Sequence, residues 1–413
     1  MERPGSKSLA GQFVKLAFVE TSSFGGLLHY AVQLGDALAE RGHDVEMIVP
    51  RDSELAHHNG AGTMRAILPA PSSPHDALPK KPWQRFLKRA RVGMRLLVAW
   101  VRIVRQARTV DYDIVIVNCD IEVSIPAIGA AVLVALPGGP RVVEISHNSK
   151  MFDRRASADG PIARPPVLSR LLRFIHARFD LALVHGVRSR ADFKETWPYR
   201  RIATIPHGDE RIFTEAPPEP SQEERVLFFG TWNRVKGIPL LIEAFDLLRA
   251  KRPTAKLTLA GMPHAHEVDV DGIRAWAAGH DGAVEVIDTY VPIEEVRAIF
   301  SAARVVAIPY EVGYQSGVVH LAMTMARAVV ATDVGDLATV VIDGETGNTV
   351  PPGNALAFAD SLESLLADPA RAERMGQAGY RKMLGGSSWA VVAEQVEAIL
   401  TDLPEGDSAK PKD

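Results

Sequence analysis

The chain carries a single cysteine, Cys119, in 413 residues. That excludes an internal disulfide framework and fits a reducing compartment. Its neighbours Ile114-Val-Ile-Val117 read as a buried strand, so a structural thiol is expected rather than a nucleophile. The histidines lack metal-ligand spacing and there is no cysteine pair, so no metal site is expected. There is no Gly-x-Ser-x-Gly nucleophile elbow and no Walker loop. The N-terminal residues lack a basic stretch followed by an apolar one, so no signal peptide is expected. The most apolar run, residues 125–136, is too short for a bilayer span and is followed by Pro137-Gly-Gly-Pro140, which predicts a buried helix. A net charge of −3 gives no global pull toward nucleic acid. Hydrophobic residues at 46% and charged residues at 23% are those of a folded globular protein. The length argues for two domains.

Apolar strand-like runs alternate with helical patterns in both halves. In the first half the runs are 14–19, 44–49, 114–117, 141–145 and 181–184. In the second they are 225–229, 256–260, 283–287, 304–308 and 328–332. This alternation predicts α/β architecture: two Rossmann-like, doubly wound parallel-sheet domains with helices on both faces. Residues 213–224, rich in Pro and Glu, read as the interdomain linker. The expected organisation is a first domain over 1–212, that linker, a second domain over 225–403 and a polar tail at 404–413. The last helix is expected to pack back on the first domain. Ligands bind beyond the carboxyl ends of such strands, so two facing sheets predict an interdomain cleft.

Four strand-end turns carry the chemistry. Glu20-Thr-Ser-Ser-Phe-Gly25-Gly26 ends a strand and opens a helix, its glycines letting backbone approach a ligand. Gly230-Thr-Trp-Asn-Arg234-Val-Lys236-Gly237 sets two cations beside a helix N-terminus, where a diphosphate would find a bidentate partner and a point charge. Gln315-Ser316-Gly317-Val318 opens a helix between two strands, and its backbone N–H groups and dipole attract phosphate. His147 ends a strand and is expected to face the cleft, with His207 a weaker candidate. An ordinary βα turn explains each of these taken singly. Residues 80–108 and 164–178 are basic, free of acidic residues and interleaved with aromatics. They suit an anionic membrane surface, the alternative being helices with a solvated basic face. No nucleic-acid reading module is present.

In order and spacing these turns resemble the GT-B glycosyltransferases, specifically the retaining, nucleotide-sugar-dependent family 4. The matching pieces are Gly25-Gly26, Glu40-Arg-Gly-His-Asp-Val45, Ile205-Pro-His-Gly208, Phe228-Phe-Gly230 and Lys236-Gly237-Ile-Pro-Leu-Leu-Ile-Glu-Ala. They continue with Leu259-Ala-Gly261, Val329-Val-Ala-Thr-Asp-Val-Gly335 and Gly344-Glu-Thr-Gly-Asn-Thr-Val-Pro-Pro-Gly353. The resemblance implies that the second domain binds a nucleoside diphosphate sugar and the first a sugar or lipid-linked acceptor. Lys236 and Arg234 would hold the diphosphate. Gln315, Ser316, Gly317 and Val318 would take the distal phosphate, and Gly25 and Gly26 would close over the donor. His147 would be the catalytic contact to the transferred sugar. No cofactor or metal is implied. The expected setting is polysaccharide or glycolipid synthesis in the cytoplasm, with the basic segments suggesting a peripheral position on the inner face of the plasma membrane.

The chain departs from the family pattern in two places. Gly313 and Leu321 stand where many members carry two glutamates, and Glu311 lies at the wrong offset. A subset with a Gln-Ser-Gly-Val turn also lacks the pair. Thr231 stands where an arginine is common, with Arg234 its expected substitute. The alternative is a GT-B-like binding subunit without catalysis. A sugar-nucleotide epimerase would need proton-transfer residues that the pattern does not supply.

Overall fold

The computed structural model describes residues 13–70, 81–121, 124–147, 166–199, 201–264, 267–313 and 315–403. The first half runs β1 (Lys15–Val19), α1 (Gly26–Glu40), β2 (Asp44–Pro50), β3 (Thr63–Leu68), α2 (Pro82–Thr109), β4 (Ile114–Val117), α3 (Ser124–Val134), β5 (Arg141–Ser146), α4 (Pro166–His176), β6 (Leu181–Val184), α5 (Val187–Thr196) and β7 (Ile202–Thr204). The second runs β8 (Arg225–Phe229), α6 (Ile238–Lys251), β9 (Lys256–Ala260), α7 (Val270–Ala278), β10 (Val284–Ile287), α8 (Ile293–Ala302), β11 (Val305–Ile308), α9 (Gly317–Thr324), β12 (Ala328–Thr332), α10 (Leu337–Val340) and β13 (Gly347–Val350). Three helices close the chain: α11 (Ala355–Ala367), α12 (Pro369–Gly386) and α13 (Trp389–Thr401).

Two wholly parallel sheets result, as the β/α alternation predicts. Their orders are β3-β2-β1-β4-β5-β6-β7 and β10-β9-β8-β11-β12-β13. Central strands such as β4 and β12 are buried along their whole length, because helices cover both faces. In each sheet the strand order reverses next to the first strand of that half, between β1 and β4 and between β8 and β11. A crevice opens at each reversal, since the flanking crossovers go to opposite faces.

Sequence pattern does not reveal β3, β7 and β13, and each is an edge strand. β3 is only half-buried and carries Arg65, whose guanidinium is paired with Glu46 on β2. β7 is three residues long and β13 begins with Gly347. Edges need neither length nor apolar alternation to add to a sheet. The apolar run at 125–136 is α3, but it is not fully buried: Ile128 and Val132 are 54% and 47% exposed. Its covered faces pack on α2, where Trp100 fills the space beside Gly129, and on α4.

α2 is one long helix. Ala99, Trp100, Ile103 and Ala107 pack inward, while Phe86, Met94, Leu97 and Val101 stay exposed among the arginines. Lys80, Arg164 and Pro165 of the two basic segments lie outside the described residues, as does the tail 404–413. Among the described residues no helix is long and apolar enough to cross a membrane.

Side chains from each half hold the other. Trp389, Val392, Val396 and Leu400 of α13 join the core of the first sheet, with Leu28, Leu34 and Leu38 of α1. Residues 214–224 carry no regular element. Two arginines of the second half hold their carbonyls: Arg304 donates to Gln222 O at 2.6 Å and Arg327 to Glu219 O at 2.6 Å. Asp336, fully buried beside α10, accepts from the Arg188 N–H at 3.0 Å, the Ser189 N–H at 2.9 Å and the Ser189 hydroxyl at 2.8 Å. It thereby caps the N-terminus of α5, where a carboxylate also meets the helix dipole. Gly186 leaves room for it, since a Cβ there would collide with the Asp336 carboxyl group.

Removing that carboxylate strands several buried donors at once. Asp336→Ala is expected to lower unfolding stability by about 2–3 kcal/mol. Urea denaturation measures this, and a loss below about 0.5 kcal/mol, typical of a surface change, would contradict the capping role.

Candidate functional site

The loops leaving β1, β8 and β11 line one cleft of about 410 Å³. Its walls include Gly25, Gly26 and His29 from the first half. Gly230, Thr231, Lys236, Tyr290, Tyr310, Gln315, Ser316, Gly317, Val318 and Leu321 come from the second. Glu210, from the segment joining the halves, lies at its floor. Of the residues singled out from sequence, the structure brings together Gly25, Gly26, Lys236, Gln315, Ser316, Gly317 and Val318. It does not bring Arg234 or His147 to the cleft wall.

Lys236 closes a 3-10 turn after β8 and precedes Gly237, whose φ of 66° is the left-handed conformation glycine tolerates. A Cβ at Gly237 would collide with Pro309 O, so glycine is also needed for the close approach of two backbones. This contact aims Lys236, whose ammonium lies 3.6 Å from the centroid of the Tyr310 ring. Arg234, two residues earlier on the same turn, is exposed and is not among the residues lining the cleft.

α9 begins at Gly317 with no side-chain cap. Ser316 does not cap it because its hydroxyl is engaged with Tyr310 Oη at 3.0 Å. The Gln315 Oε1 atom is buried, with no hydrogen-bond partner among the described residues. An open helix N-terminus and an unsatisfied acceptor thus sit together on the wall. Leu321 is 3% exposed and lines the same wall. It places a hydrocarbon where the family pattern has a carboxylate.

On the opposite wall Gly25 has φ 88° and precedes α1. Its N–H donates to Glu54 Oε1 at 2.8 Å. The His29 Nε2 atom reaches the same oxygen at 2.6 Å, and the Tyr290 hydroxyl donates to Glu54 Oε2 at 2.6 Å. One carboxylate therefore ties the glycine loop to the second half. Burial pushes the Glu54 carboxyl up, but hydrogen bonds from His29, Tyr290 and Gly25 outweigh it and hold it below its ordinary range.

His147 is half-buried and is not among the residues lining this wall. Asn118 donates through Nδ2 to Glu20 and to Leu27 O, so its Oδ1 must accept from His147 Nε2, 2.9 Å away. Nδ1 then carries the lone pair. Burial, with the nearby His207, lowers His147 to about 3. It belongs to an aromatic cluster around Tyr30, which meets His147, His185, His207 and Trp389 at ring separations of 4.8, 5.2, 5.2 and 5.0 Å. His207 stacks on His320 at 4.5 Å, linking the cluster to α9.

Glu210, Glu54, Tyr290 and Tyr30 were not found by pattern. Glu210 follows the Ile205-Pro-His-Gly208 turn one residue on, after Asp209, and a carboxylate next to a buried strand end is a usable signal. Glu54 and Tyr290 sit on loops without a motif and carry none. Glu210 is 5% exposed, with Gln33 Nε2 donating to its Oε2 at 3.2 Å. Burial, with Asp209 adding repulsion, raises it to about 8. Cys119 is buried and its thiol is pushed well up by burial, in keeping with a structural role. Among the described residues no cluster of metal-ligating side chains occurs.

The Glu210 carboxyl has a stability consequence. Between its unfolded value of 4.5 and its folded value of about 8, the folded chain binds the extra proton. Stability from this group is therefore present at low pH and lost as pH rises through that window, by up to about 1.4 kcal/mol per pH unit. Glu210→Gln removes the dependence, so the variant should gain stability relative to the wild type as pH rises from 5 to 8. Thermal melts across that range test it, and a constant difference would contradict a raised carboxyl.

Residues 24–208 match the family described as Glycosyltransferase Family 4, and residues 223–368 match Glycosyl transferases group 1. The alpha-maltose-1-phosphate synthase of Mycobacterium tuberculosis (strain ATCC 25618 / H37Rv) is 35% identical over 235 residues, covering 54% of this chain and 57% of that protein. The match thus spans little more than half the length of that relative. The phosphatidyl-myo-inositol mannosyltransferase of Mycolicibacterium smegmatis is 25% identical over 402 residues, covering 91% of this chain and 89% of that one. Among solved structures, the sucrose-phosphate synthase of Thermosynechococcus elongatus superimposes with a TM-score of 0.73 at 20% identity, covering 94% of this chain and 99% of that one. The Anabaena HepE protein, in complex with UDP and glucose, gives 0.69 at 16% identity, covering 94% and 100%. The chain is therefore a glycosyltransferase-type protein of the GT-B fold, with a family 4 domain on its first sheet and a group 1 domain on its second.

Proposed function

We propose that the chain transfers a sugar, with retention, from a nucleoside diphosphate sugar to an acceptor hydroxyl. The observation that carries this reading is the convergence of Lys236, the uncapped N-terminus of α9 and the Gly25-Gly26 loop on one cleft. A cation and a helix N-terminus stabilise the charge that grows on a departing diphosphate, which is the role a metal ion fills elsewhere. The unpartnered Gln315 Oε1 suits a sugar hydroxyl as its donor. Aromatic and apolar groups at Phe229, Met262, Tyr290 and Val291 offer a surface for the nucleoside. The acceptor hydroxyl attacks on the face the diphosphate leaves, so no protein nucleophile is required. His147, held neutral and oriented by Asn118, supports the geometry through Tyr30 in this conformation. Arg234, exposed on the same turn as Lys236, is the second cation for the diphosphate. The likeness to proteins crystallised with UDP and UDP-glucose supports a nucleotide-sugar donor.

A lipid-linked acceptor at the inner face of the plasma membrane fits the opposite end of the first domain. α2 and α3 border an apolar groove of about 520 Å³, lined by Leu97, Val101, Ile125, Ile128 and Val132. Arg105 and Arg108 stand at its side. Exposed apolar groups beside cations suit an anionic lipid surface. A binding subunit without catalysis is the second reading, because Leu321 leaves the cleft wall without its carboxylate.

Titration of the wild type with UDP, GDP, ADP and TDP should find at least one that binds. Binding of none would remove the donor reading. Lys236→Ala is expected to lower kcat for transfer or donor hydrolysis by roughly 10²–10³ with the fold intact. Equal background rates in both proteins would favour the binding subunit. In flotation assays, vesicles with anionic lipid should recruit the protein and neutral ones should not, and Val101→Glu should abolish recruitment. Absence of wild-type recruitment would overturn the membrane part alone.

A further inference from the structure

Among the described residues lining the cleft, Glu210 is the acidic side chain, and the proposed transfer does not use it. It is 5% exposed, and its two oxygens differ. Gln33 on α1 holds Oε2 at 3.2 Å. Oε1 has no protein partner among the described residues, and it faces the first turn of α9. A Cβ built on Gly317 would lie 3.2 Å from it. Glycine at 317 therefore keeps the space between Oε1 and the helix N-terminus open. The backbone of Glu210 is fixed too, its N–H donating to the Thr324 hydroxyl on α9 at 3.0 Å.

An ionised carboxylate in this place would oppose any anion at the same helix N-terminus. A neutral one would do the reverse, since a carboxylic acid has one hydrogen to donate. The surroundings favour the neutral form. From α1 the group is faced by Gln33 and by the buried, neutral Tyr30. From its own loop it meets Asp209, which repels a charge, and His207. His207 in turn stacks on His320 of α9, and Asp209 is itself paired with Arg211. His207 and His320 are both uncharged, burial lowering them to about 4 and about 3. The cation of the cleft, Lys236, stands above Tyr310 on the wall that carries α9.

We propose that Glu210 binds the distal phosphate of the nucleoside diphosphate by donating a hydrogen bond from its Oε1 hydroxyl. This rests on the donor reading above and adds to it a residue and a pH limit. Glu210 discriminates by charge state: the acid form accepts the anion and the carboxylate rejects it. Donor affinity therefore holds below the raised value of about 8 and falls above it.

The test is titration of UDP, or whichever of GDP, ADP and TDP binds, at pH 7.0, 8.0 and 9.0. The terminal phosphate of the probe is already largely ionised at pH 7, so the probe itself contributes little to the change. Wild-type Kd should rise about tenfold across the range, one pH unit above the midpoint corresponding to a tenfold loss of the acid form. Glu210→Gln keeps a donor N–H at the same place and a fixed charge of zero, and its Kd should vary less than about twofold with pH. Glu210→Ala should be equally flat but weaker at pH 7.0, which separates a donated hydrogen bond from mere relief of repulsion. Melting curves of each variant check the fold. A pH-independent wild type, or an alkaline loss that persists in Glu210→Gln, would overturn the role of Glu210 while leaving the donor site standing. Absence of binding for all four nucleotides at every pH would instead remove the donor reading itself.

Discussion

Trp389 occupies a notch that exists only because residue 208 is glycine, since any Cβ there would run into the indole. The indole N–H donates to Asp209 O at 2.6 Å, and the Asp209 N–H donates back to Ser387 O at 2.7 Å. The ring also meets Tyr30 edge to face at 5.0 Å. Through these contacts α13, the last helix of the chain, sets the loop that carries His207 and Glu210. The cleft floor is thus held by a segment that belongs by sequence to the second half and by packing to the first. Burying so large a side chain is also what makes the crossing worth its chain entropy.

The electrostatics of the cleft follow from that packing. The histidines around Tyr30 are depressed by burial and remain neutral, and Glu210 is raised and retains its proton. The carboxylate kept ionised near the rim, Glu54, is consumed by Gly25, His29 and Tyr290. What faces the open space is a lysine above an aromatic ring and a helix N-terminus. A site for an anion is built here as much by neutralising nearby acids as by supplying cations.

The Glu54 contact also bears on motion. It joins Gly25, whose N–H would otherwise be open to a ligand, to Tyr290 across the cleft. Phe24 packs edge to face on the same tyrosine at 5.1 Å. Loop and opposite wall are therefore coupled, so a ligand that claims the Gly25 amide competes with the link between the halves.

The β/α alternation, the central strands and the turns at Gly25, Lys236 and Ser316 were legible in the residues, because strand burial and helix initiation are local properties with local signatures. The edge strands β3, β7 and β13 were not, since edges escape the burial that writes an apolar pattern. Sequence also could not tell that Lys236 lines the cleft while Arg234, on the same turn, does not. That depends on the backbone contact of Gly237 with Pro309. His147 was legible as a strand-end histidine, but its place behind Tyr30 depends on α1. Glu54 and Glu210 acquire their roles from partners far along the chain, Tyr290 for one and the first turn of α9 for the other. Local propensity determined where each turn lies; only the tertiary structure decided which turns meet and which acids lose their charge, because desolvation and pairing depend on neighbours that the fold, not the chain order, supplies.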